Sequence, residues 1–238
     1  MTFRIGPLRV HARGGDDRRG GGAGPAILLC HGFGAPGDDL VAFSRVIDAG
    51  RGVRWFFPEA PLSLDWGGRA WWNIDMVRLQ TLAMRGARRE MANETPDGLA
   101  EARAALEATI AELEESHGVT RDRLLLGGFS QGAMITTEIA LHAERPFAGL
   151  AILSGTLISA ERWAAAVKRT GPSIKALVTH GRADPLLPFE GAEALRALLE
   201  GAGAQVEWVP HHGAHEIPPP AVDRLTAFAR RCLAPAAG

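Results

Sequence analysis

The sequence predicts one α/β domain built around a mostly parallel sheet with helices on both faces. Short apolar runs, several of them ended by glycine, alternate along the chain with longer runs of helical periodicity. A length of 238 residues suits one large domain of this class and allows a sizeable core to be buried. Neither a repeat nor a linker interrupts the alternation, so we expect a single domain over residues 1–238.

The first part of the chain predicts a hairpin, two buried strands and a helix. Residues 3–12 alternate weakly, which predicts an edge strand or a hairpin, and the glycine-rich residues 13–24 predict its flexible loop. Residues 26–32 form a continuous apolar run typical of a buried parallel strand, and residues 53–61 predict another strand. Between these two strands, residues 39–50 have helical spacing and end in glycine.

The middle of the chain is irregular, and regular alternation returns after it. Residues 62–95 have neither helical nor strand periodicity, and we expect them to form a lid-like segment over a site. Residues 96–118 carry apolar side chains at helical spacing and end in glycine, which predicts a helix. The remaining strands are predicted at 123–128, 147–155, 174–181 and 204–210, and the remaining helices at 132–143, 159–169, 190–203 and 220–233.

Composition excludes several classes of function. The 26 Lys and Arg residues nearly balance the 27 Asp and Glu residues, so we expect neither nucleic acid nor an anionic membrane surface as a partner. Two cysteines, Cys30 and Cys232, do not indicate a disulfide scaffold. The N-terminal residues lack the apolar core of a signal peptide, and no run is long enough to insert stably in a membrane. We therefore expect a cytoplasmic protein.

The stretch "LLLGGFSQGAMITTEIAL" indicates a nucleophilic serine. Gly128-Phe129-Ser130-Gln131-Gly132 fits the G-x-S-x-G pattern between a predicted strand and a predicted helix. Such a turn lifts the serine hydroxyl clear of the sheet, and the following helix N-terminus favours a developing anion. The alternative is a tight turn in which Ser130 only caps the helix.

A serine hydroxyl needs a base, and the base needs an orienting carboxylate. Asp184 follows the strand predicted at 174–181 and is our candidate acid, although an aspartate before proline also forms turns. His215 is our candidate base, because His211 and His212 look like the end of the preceding strand. The proline run after His215 stops the helix that an H-E-x-x-H metal motif requires, so we expect no metal.

The oxyanion of an acyl-transfer intermediate needs two N–H donors. The N–H of Gln131, directly after the serine, is expected to be one of them. The loop "CHGFGAPGDD" follows an early strand, and we assign the N–H of Phe33 as the second donor. For His31 we expect a role in bracing this loop, and for His180 a packing role at a strand end.

Six segments together carry a family resemblance. They are "LLCHGFGAPGDDL", "FFPEAP", "WWNID", "LLLGGFSQGA", "THGRADPLLPF" and "GAHEIP", in order from Ile27 to Arg231. In these segments the chain resembles the phospholipase/carboxylesterase family, which includes the acyl-protein thioesterases. The resemblance implies an α/β-hydrolase fold, no cofactor, hydrolysis of carboxylic esters or thioesters, and a triad of Ser130, Asp184 and His215. One departure is Asn73, which stands where the family often has aspartate.

The substrate side is expected in the irregular segment. Pockets for acyl groups are mostly aromatic and aliphatic, so we expect Trp66, Trp71, Trp72 and Met76 to line one. The alternative is that individual tryptophans only pack the segment onto the body. The arginines of this segment predict a solvated surface, with binding of an anionic leaving group as the alternative.

We therefore expect a serine hydrolase acting on a small ester or acyl-thioester. Two readings of the same acyl-enzyme stay open: acyl transfer to an alcohol or amine, and cleavage of lipid substrates as a lysophospholipase or acyl-protein thioesterase. A non-catalytic binding protein on the same fold is a third alternative. A homodimer is compatible with the sequence.

Overall fold

The computed structural model describes residues 1–74 and 91–235. Among these residues, the main sheet has eight strands in the order β1-β2-β4-β3-β7-β8-β9-β10, and β5 pairs with β6 in a separate two-stranded sheet. The strands are β1 (Thr2–Ile5), β2 (Leu8–Gly14), β3 (Ala26–Cys30), β4 (Arg54–Pro58), β5 (Leu62–Ser63), β6 (Arg69–Ala70), β7 (Leu124–Phe129), β8 (Gly149–Leu153), β9 (Lys175–Gly181) and β10 (Gln205–His211).

The sheet is parallel except at its N-terminal edge. In the main sheet, β1 pairs with β2 and β2 with β4 in antiparallel register. The neighbouring pairs along the order β4-β3-β7-β8-β9-β10 are parallel. Parallel strands need crossovers, and helices provide them here. The predicted α/β-hydrolase fold, with its mostly parallel sheet, is confirmed.

Helices cover both faces of the sheet. One face carries α2 to α5, and the other carries α1 and α6. The α-helices of the described part are α1 (Phe43–Val46), α2 (Leu99–His117), α3 (Gln131–His142), α4 (Ala160–Thr170), α5 (Phe189–Gly201) and α6 (Pro219–Leu233). Short 3-10 helices span Asp39–Ala42, Met91–Asn93, Arg121–Arg123 and Gly171–Ser173.

The central strand β3 is apolar throughout because it is buried on both sides. Leu28 and Cys30 face the core beneath α2 to α5, while Ile27 and Leu29 face the core beneath α6. A strand covered on both faces needs no polar alternation, which is why the continuous apolar run predicted it correctly. Its C-terminal end opens directly into the loop "HGFG".

The helix expected at 39–50 is much shorter than predicted. The 3-10 turn Asp39–Ala42 leads into a single α-helical turn, and Ile47 then adopts an extended conformation with φ −92° and ψ 107°. Ile47 is only 3% exposed, so it leaves the helix to bury its side chain in the core beneath α6. Helical spacing over so short a stretch is therefore overridden by tertiary packing.

The glycine-rich loop at 13–24 has a defined set of hydrogen bonds. The Asp17 carboxylate accepts the N–H groups of Arg19 (2.7 Å) and Gly21 (2.9 Å), and the Gly20 N–H donates to the Gly14 carbonyl. The edge strand or hairpin expected at 3–12 is observed as a hairpin of β1 and β2, in which Ile5 pairs with Leu8. The expectation that residues 13–24 form its loop is wrong, because they connect β2 to β3. Within the described ranges, no helix has both the length and the apolar character needed to cross a lipid bilayer.

Candidate active site

Ser130 lies in a strained turn between β7 and α3. Its φ of 55° and ψ of −119° are unusual for a residue with a side chain. A Cβ at Gly128 would lie 2.3 Å from the Gly132 carbonyl carbon, and a Cβ at Gly132 would lie 2.1 Å from the Cys30 carbonyl oxygen. The chain therefore needs glycine at both positions, and this lack of bulk lets the turn lie close to the end of β3.

The structure brings Ser130, His215 and Asp184 into one chain of hydrogen bonds. His215 Nε2 lies 2.8 Å from Ser130 Oγ, and His215 Nδ1 lies 2.7 Å from Asp184 Oδ2. Because a carboxylate only accepts, Nδ1 carries the imidazole proton and Nε2 is free to accept the serine proton. The three residues come from the turn after β7 and the loops after β9 and β10, which meet at one edge of the sheet.

The carboxylate of Asp184 has several donors. Its Oδ1 accepts the N–H groups of Leu186 and Leu187, both at 2.9 Å. His180 Nε2 lies 3.3 Å from Oδ2. Burial by itself raises the pKa of Asp184, but hydrogen bonds from His180, His215 and the Leu187 N–H outweigh it and hold the pKa below its ordinary value. Asp184 is therefore an anion at neutral pH.

The other two histidines near the end of β10 are placed differently. His211 Nδ1 accepts the Gly213 N–H at 3.2 Å, and burial lowers the pKa of His211. His212 is exposed. Within residues 1–74 and 91–235, no group of three or more His, Cys, Asp or Glu side chains is arranged to hold a metal ion.

The His215 loop is held against the sheet by two contacts. The rings of Phe129 and His215 lie 4.8 Å apart, centroid to centroid. Ser154, at the end of β8, has a φ of 50° and donates its hydroxyl to the Glu216 carbonyl at 3.3 Å. The residue after the candidate base is therefore tied to the strand beside the candidate nucleophile.

The loop after β3 lies next to the serine. A Cβ at Gly32 would lie 3.2 Å from the Ser130 Cβ. His31 braces this loop, because its Nδ1 lies 2.8 Å from the Gly32 carbonyl and its Nε2 accepts the Ala60 N–H at 2.9 Å. Burial lowers the pKa of His31, so this brace is neutral.

The two expected oxyanion donors are backbone groups without a competing partner. In the part of the chain that the structure describes, no acceptor pairs with the N–H of Phe33 or with the N–H of Gln131. Gln131 begins α3, whose first N–H groups have no acceptor within the helix. Both donors are therefore free to bind a ligand.

The side chain of Gln131 has a second role that sequence reasoning missed. It is fully buried, its Oε1 accepts the Trp71 N–H at 2.8 Å, and its Nε2 donates to the Trp72 carbonyl at 2.9 Å. The Trp71 indole N–H donates to the His31 carbonyl at 3.0 Å. The segment containing both tryptophans is thus fixed to the serine turn and to the loop after β3.

The four residues expected to line an acyl site have different environments. Trp66 is 66% exposed, and its ring contacts the edge of Phe33 with centroids 6.4 Å apart. Trp71 and Trp72 are only 1% and 2% exposed, so the expectation that they line an open pocket is wrong: their rings pack in the core beneath α2 to α5. Met76 lies outside the described residues.

The second contact that sequence reasoning missed is that of His180 with Asp184. The packing role expected for His180 accounts for its burial but not for its position beside the carboxylate. The only signal in the sequence is the four-residue separation from Asp184, and this separation does not specify how the intervening loop folds. The fold of this loop places the two side chains together.

Comparison with known proteins shows the family. The phospholipase/carboxylesterase family profile matches residues 20–233. Acyl-protein thioesterase 1 of Gibberella zeae is 28% identical over 183 residues, covering 75% of each chain, and that of Schizosaccharomyces pombe is 27% identical over 167 residues, covering 68% of this chain and 69% of the relative. The crystal structure of esterase PE8 matches with a TM-score of 0.77 and 26% identity, covering 96% of this chain and 98% of PE8. The chain is therefore a hydrolase that belongs to the phospholipase/carboxylesterase family.

Proposed function

We propose that this chain is a serine hydrolase that cleaves carboxylic esters or acyl-thioesters through an acyl-enzyme. Ser130 Oγ attacks the carbonyl carbon while His215 Nε2 takes its proton. His215 then donates that proton to the leaving alcohol or thiol, and the acyl group stays on Ser130. Water attacks the acyl-enzyme with His215 again as the base, which releases the acid and restores the serine.

One observation carries the proposal: the uninterrupted hydrogen bonds from Ser130 through His215 to Asp184. Separations of 2.8 Å and 2.7 Å are within direct proton-transfer reach in the resting protein. The Asp184 anion holds the imidazole in the tautomer with Nε2 unprotonated and stabilises the imidazolium that forms during attack. A turn in which Ser130 only capped α3 would need no base, and Ser130 makes no side-chain cap to that helix.

The N–H groups of Phe33 and Gln131 are proposed to hold the oxyanion. Both belong to segments beside Ser130, and both are at backbone positions that the folded chain fixes before substrate arrives. Preorganised donors of this kind stabilise the tetrahedral intermediate without reorganisation, and each contributes about 10²–10³ in rate. Because the donors are main-chain groups, Phe33→Ala should have only a mild effect.

The substrate class follows from the same site. We propose a small ester or acyl-thioester as substrate, and the names of the acyl-protein thioesterase relatives favour testing thioesters beside esters. Exposed Trp66 and half-buried Phe33 provide aromatic surface next to the proposed oxyanion donors. The cytoplasmic location and the homodimer stay predictions from the sequence.

Substitution of the nucleophile tests the proposal. Ser130→Ala should lower kcat/KM on p-nitrophenyl butyrate by about 10⁴-fold or more, because the variant lacks the hydroxyl proposed to form the acyl-enzyme. A fluorophosphonate probe should label the wild type and not this variant. Ser173→Ala is the control, since the Ser173 hydroxyl bonds the Thr170 carbonyl at the opposite end of the strands. Wild-type turnover by Ser130→Ala would refute the assignment.

A further inference from the structure

A second histidine, His180, contacts the carboxylate that orients His215. His180 Nε2 lies 2.9 Å from the Leu187 carbonyl oxygen and 3.3 Å from Asp184 Oδ2, and the side chains of His180 and Asp184 are both fully buried. A carbonyl oxygen can only accept, so Nε2 carries the proton of His180. This N–H donates to the Leu187 carbonyl, and it also lies close enough to the Asp184 carboxylate to interact with its charge.

His180 contacts the same oxygen of the Asp184 carboxylate as His215 does. Asp184 Oδ1 is held by the two backbone N–H groups of Leu186 and Leu187, while Oδ2 accepts from His215 and lies 3.3 Å from His180 Nε2. The donors on Oδ1 do not touch the oxygen that accepts from His215. The His180 Nε2–H, 3.3 Å from Oδ2, is a second contact at that oxygen and favours the orientation in which Oδ2 faces His215 Nδ1.

The two ring nitrogens of His180 are placed differently. His180 Nδ1 is buried and has no hydrogen-bond partner among the described residues, which costs free energy. An apolar side chain of similar size would avoid that cost but would leave the Leu187 carbonyl without this donor. The part of the ring that has partners is the Nε2–H that reaches Leu187 and Asp184.

We propose that His180 is a positioning residue for the Ser130–His215–Asp184 chain. It does not contact substrate. It donates its Nε2–H to Asp184 and thereby fixes the carboxylate in the orientation that holds His215 for proton transfer. This inference rests on the proposed serine hydrolase function and adds a fourth side chain to it.

A matched pair of substitutions tests the donor. His180→Gln keeps an N–H near the position of Nε2, whereas His180→Met has similar length without a donor. We expect His180→Met to lower kcat on p-nitrophenyl butyrate by about 10–100-fold, as loss of an orienting partner does elsewhere, with KM changed less than about twofold. His180→Gln should restore kcat to within about fivefold of wild type. Equal kcat values for the two variants would overturn the proposal.

Two further variants keep the test decisive. Thr179→Val changes the neighbouring buried side chain of β9, whose hydroxyl has no partner in the described part of the chain, and should retain wild-type kcat. A loss of kcat in Thr179→Val equal to that in His180→Met would mean that any disturbance of β9 lowers activity, which overturns the proposal. If His180→Met does not fold, His180→Asn takes its place, because its shorter amide reaches the position of Nδ1 rather than Nε2.

A double-mutant cycle separates positioning from general packing. In an Asp184→Ala background His180 has no carboxylate to orient, so adding His180→Met should change the residual kcat by less than about twofold. The rate of Ser130→Ala, measured in parallel, is subtracted from each rate as background. A further 10–100-fold loss in that background would refute the role of His180 and leave the serine hydrolase proposal intact. Activity of Ser130→Ala itself would refute both.

Discussion

The two halves of the candidate site are built from different groups. In the triad half, three side chains from separate loops meet: Ser130 after β7, Asp184 after β9 and His215 after β10. In the oxyanion half, the proposed working groups are main-chain N–H donors, and the side chains of His31 and Gln131 only hold that main chain in place. Side-chain identity is decisive in the first half, and backbone position is decisive in the second.

This difference predicts how each half responds to substitution. A change of one triad side chain removes a group that takes part in proton transfer. A change of one brace leaves the donors present and shifts them by a fraction of an ångström. We therefore expect large losses of kcat in the triad half and intermediate losses in the oxyanion half.

The largest effect in this comparison is expected for Asp184→Asn. The amide can donate to His215 Nδ1, which favours the tautomer with the proton on Nε2 and leaves no base for Ser130. We expect kcat on p-nitrophenyl butyrate to fall by about 10⁴-fold with little change in KM. The folded state is checked by circular dichroism. A loss smaller than tenfold would mean that Asp184 does not orient the base.

An intermediate effect is expected for Gln131→Met in the oxyanion half. The variant keeps the Gln131 backbone N–H and removes both hydrogen bonds to the segment of Trp71 and Trp72, so the two halves are less firmly joined. We expect a loss of about 10–100-fold in kcat and a weaker affinity for a boronic acid transition-state analogue.

A second glutamine provides the control for this variant. Gln205→Met, at an exposed position of the edge strand β10, should match the wild type in both measurements. If Gln131→Met also retained wild-type kcat, its side chain would not position the oxyanion donors.

Most of the triad half could be predicted from the sequence, because its residues follow recognisable strands. Short apolar runs predicted β3, β7, β8, β9 and β10, and in a parallel sheet the loops after the strands share one edge. Ser130, Asp184 and His215 each directly follow such a run or its loop, so their convergence could be predicted from the sequence. The glycines around Ser130 marked the strained turn.

Only part of the oxyanion half could be predicted from the sequence, because residue types do not specify backbone geometry or burial. Phe33 and Gln131 could be proposed as donors from loop position. The contacts of the Gln131 amide with Trp71 and Trp72 could not be, since they join segments about sixty residues apart. The same burial explains why the expectation that Trp71 and Trp72 line a pocket is wrong.

Acid should reduce the contribution of the triad half, and not that of the oxyanion half, to the free energy of unfolding. The folded state holds the pKa of Asp184 below its ordinary value of 3.8, so its ionised form stabilises the fold above that value and this contribution is lost as the pH falls through the lower folded-state pKa. The difference in free energy of unfolding between wild type and Asp184→Asn should therefore shrink below about pH 4. Urea denaturation from pH 3 to pH 6 measures it.

The oxyanion half provides the comparison for the acid titration. Gln131→Met removes contacts that carry no ionisable group, so its difference from wild type should stay constant over the same range of pH. A difference for Asp184→Asn that does not change with pH would contradict the expected contribution of the Asp184 anion.

The smallest effect is expected for Trp66→Ala, which tests on which half the acyl chain lies. Trp66 is 66% exposed beside Phe33 in the oxyanion half, and Leu186 is 68% exposed beside Asp184 in the triad half. If the acyl chain lies against the oxyanion half, Trp66→Ala should raise KM about three- to tenfold for p-nitrophenyl octanoate and less for the acetate, because the longer chain loses more apolar contact. Leu186→Ala should leave this chain-length preference unchanged. If Leu186→Ala changed the chain-length preference and Trp66→Ala did not, the acyl chain would lie over the loop of Asp184. The side chains that select substrate would then lie in the same half as those proposed to carry the chemistry.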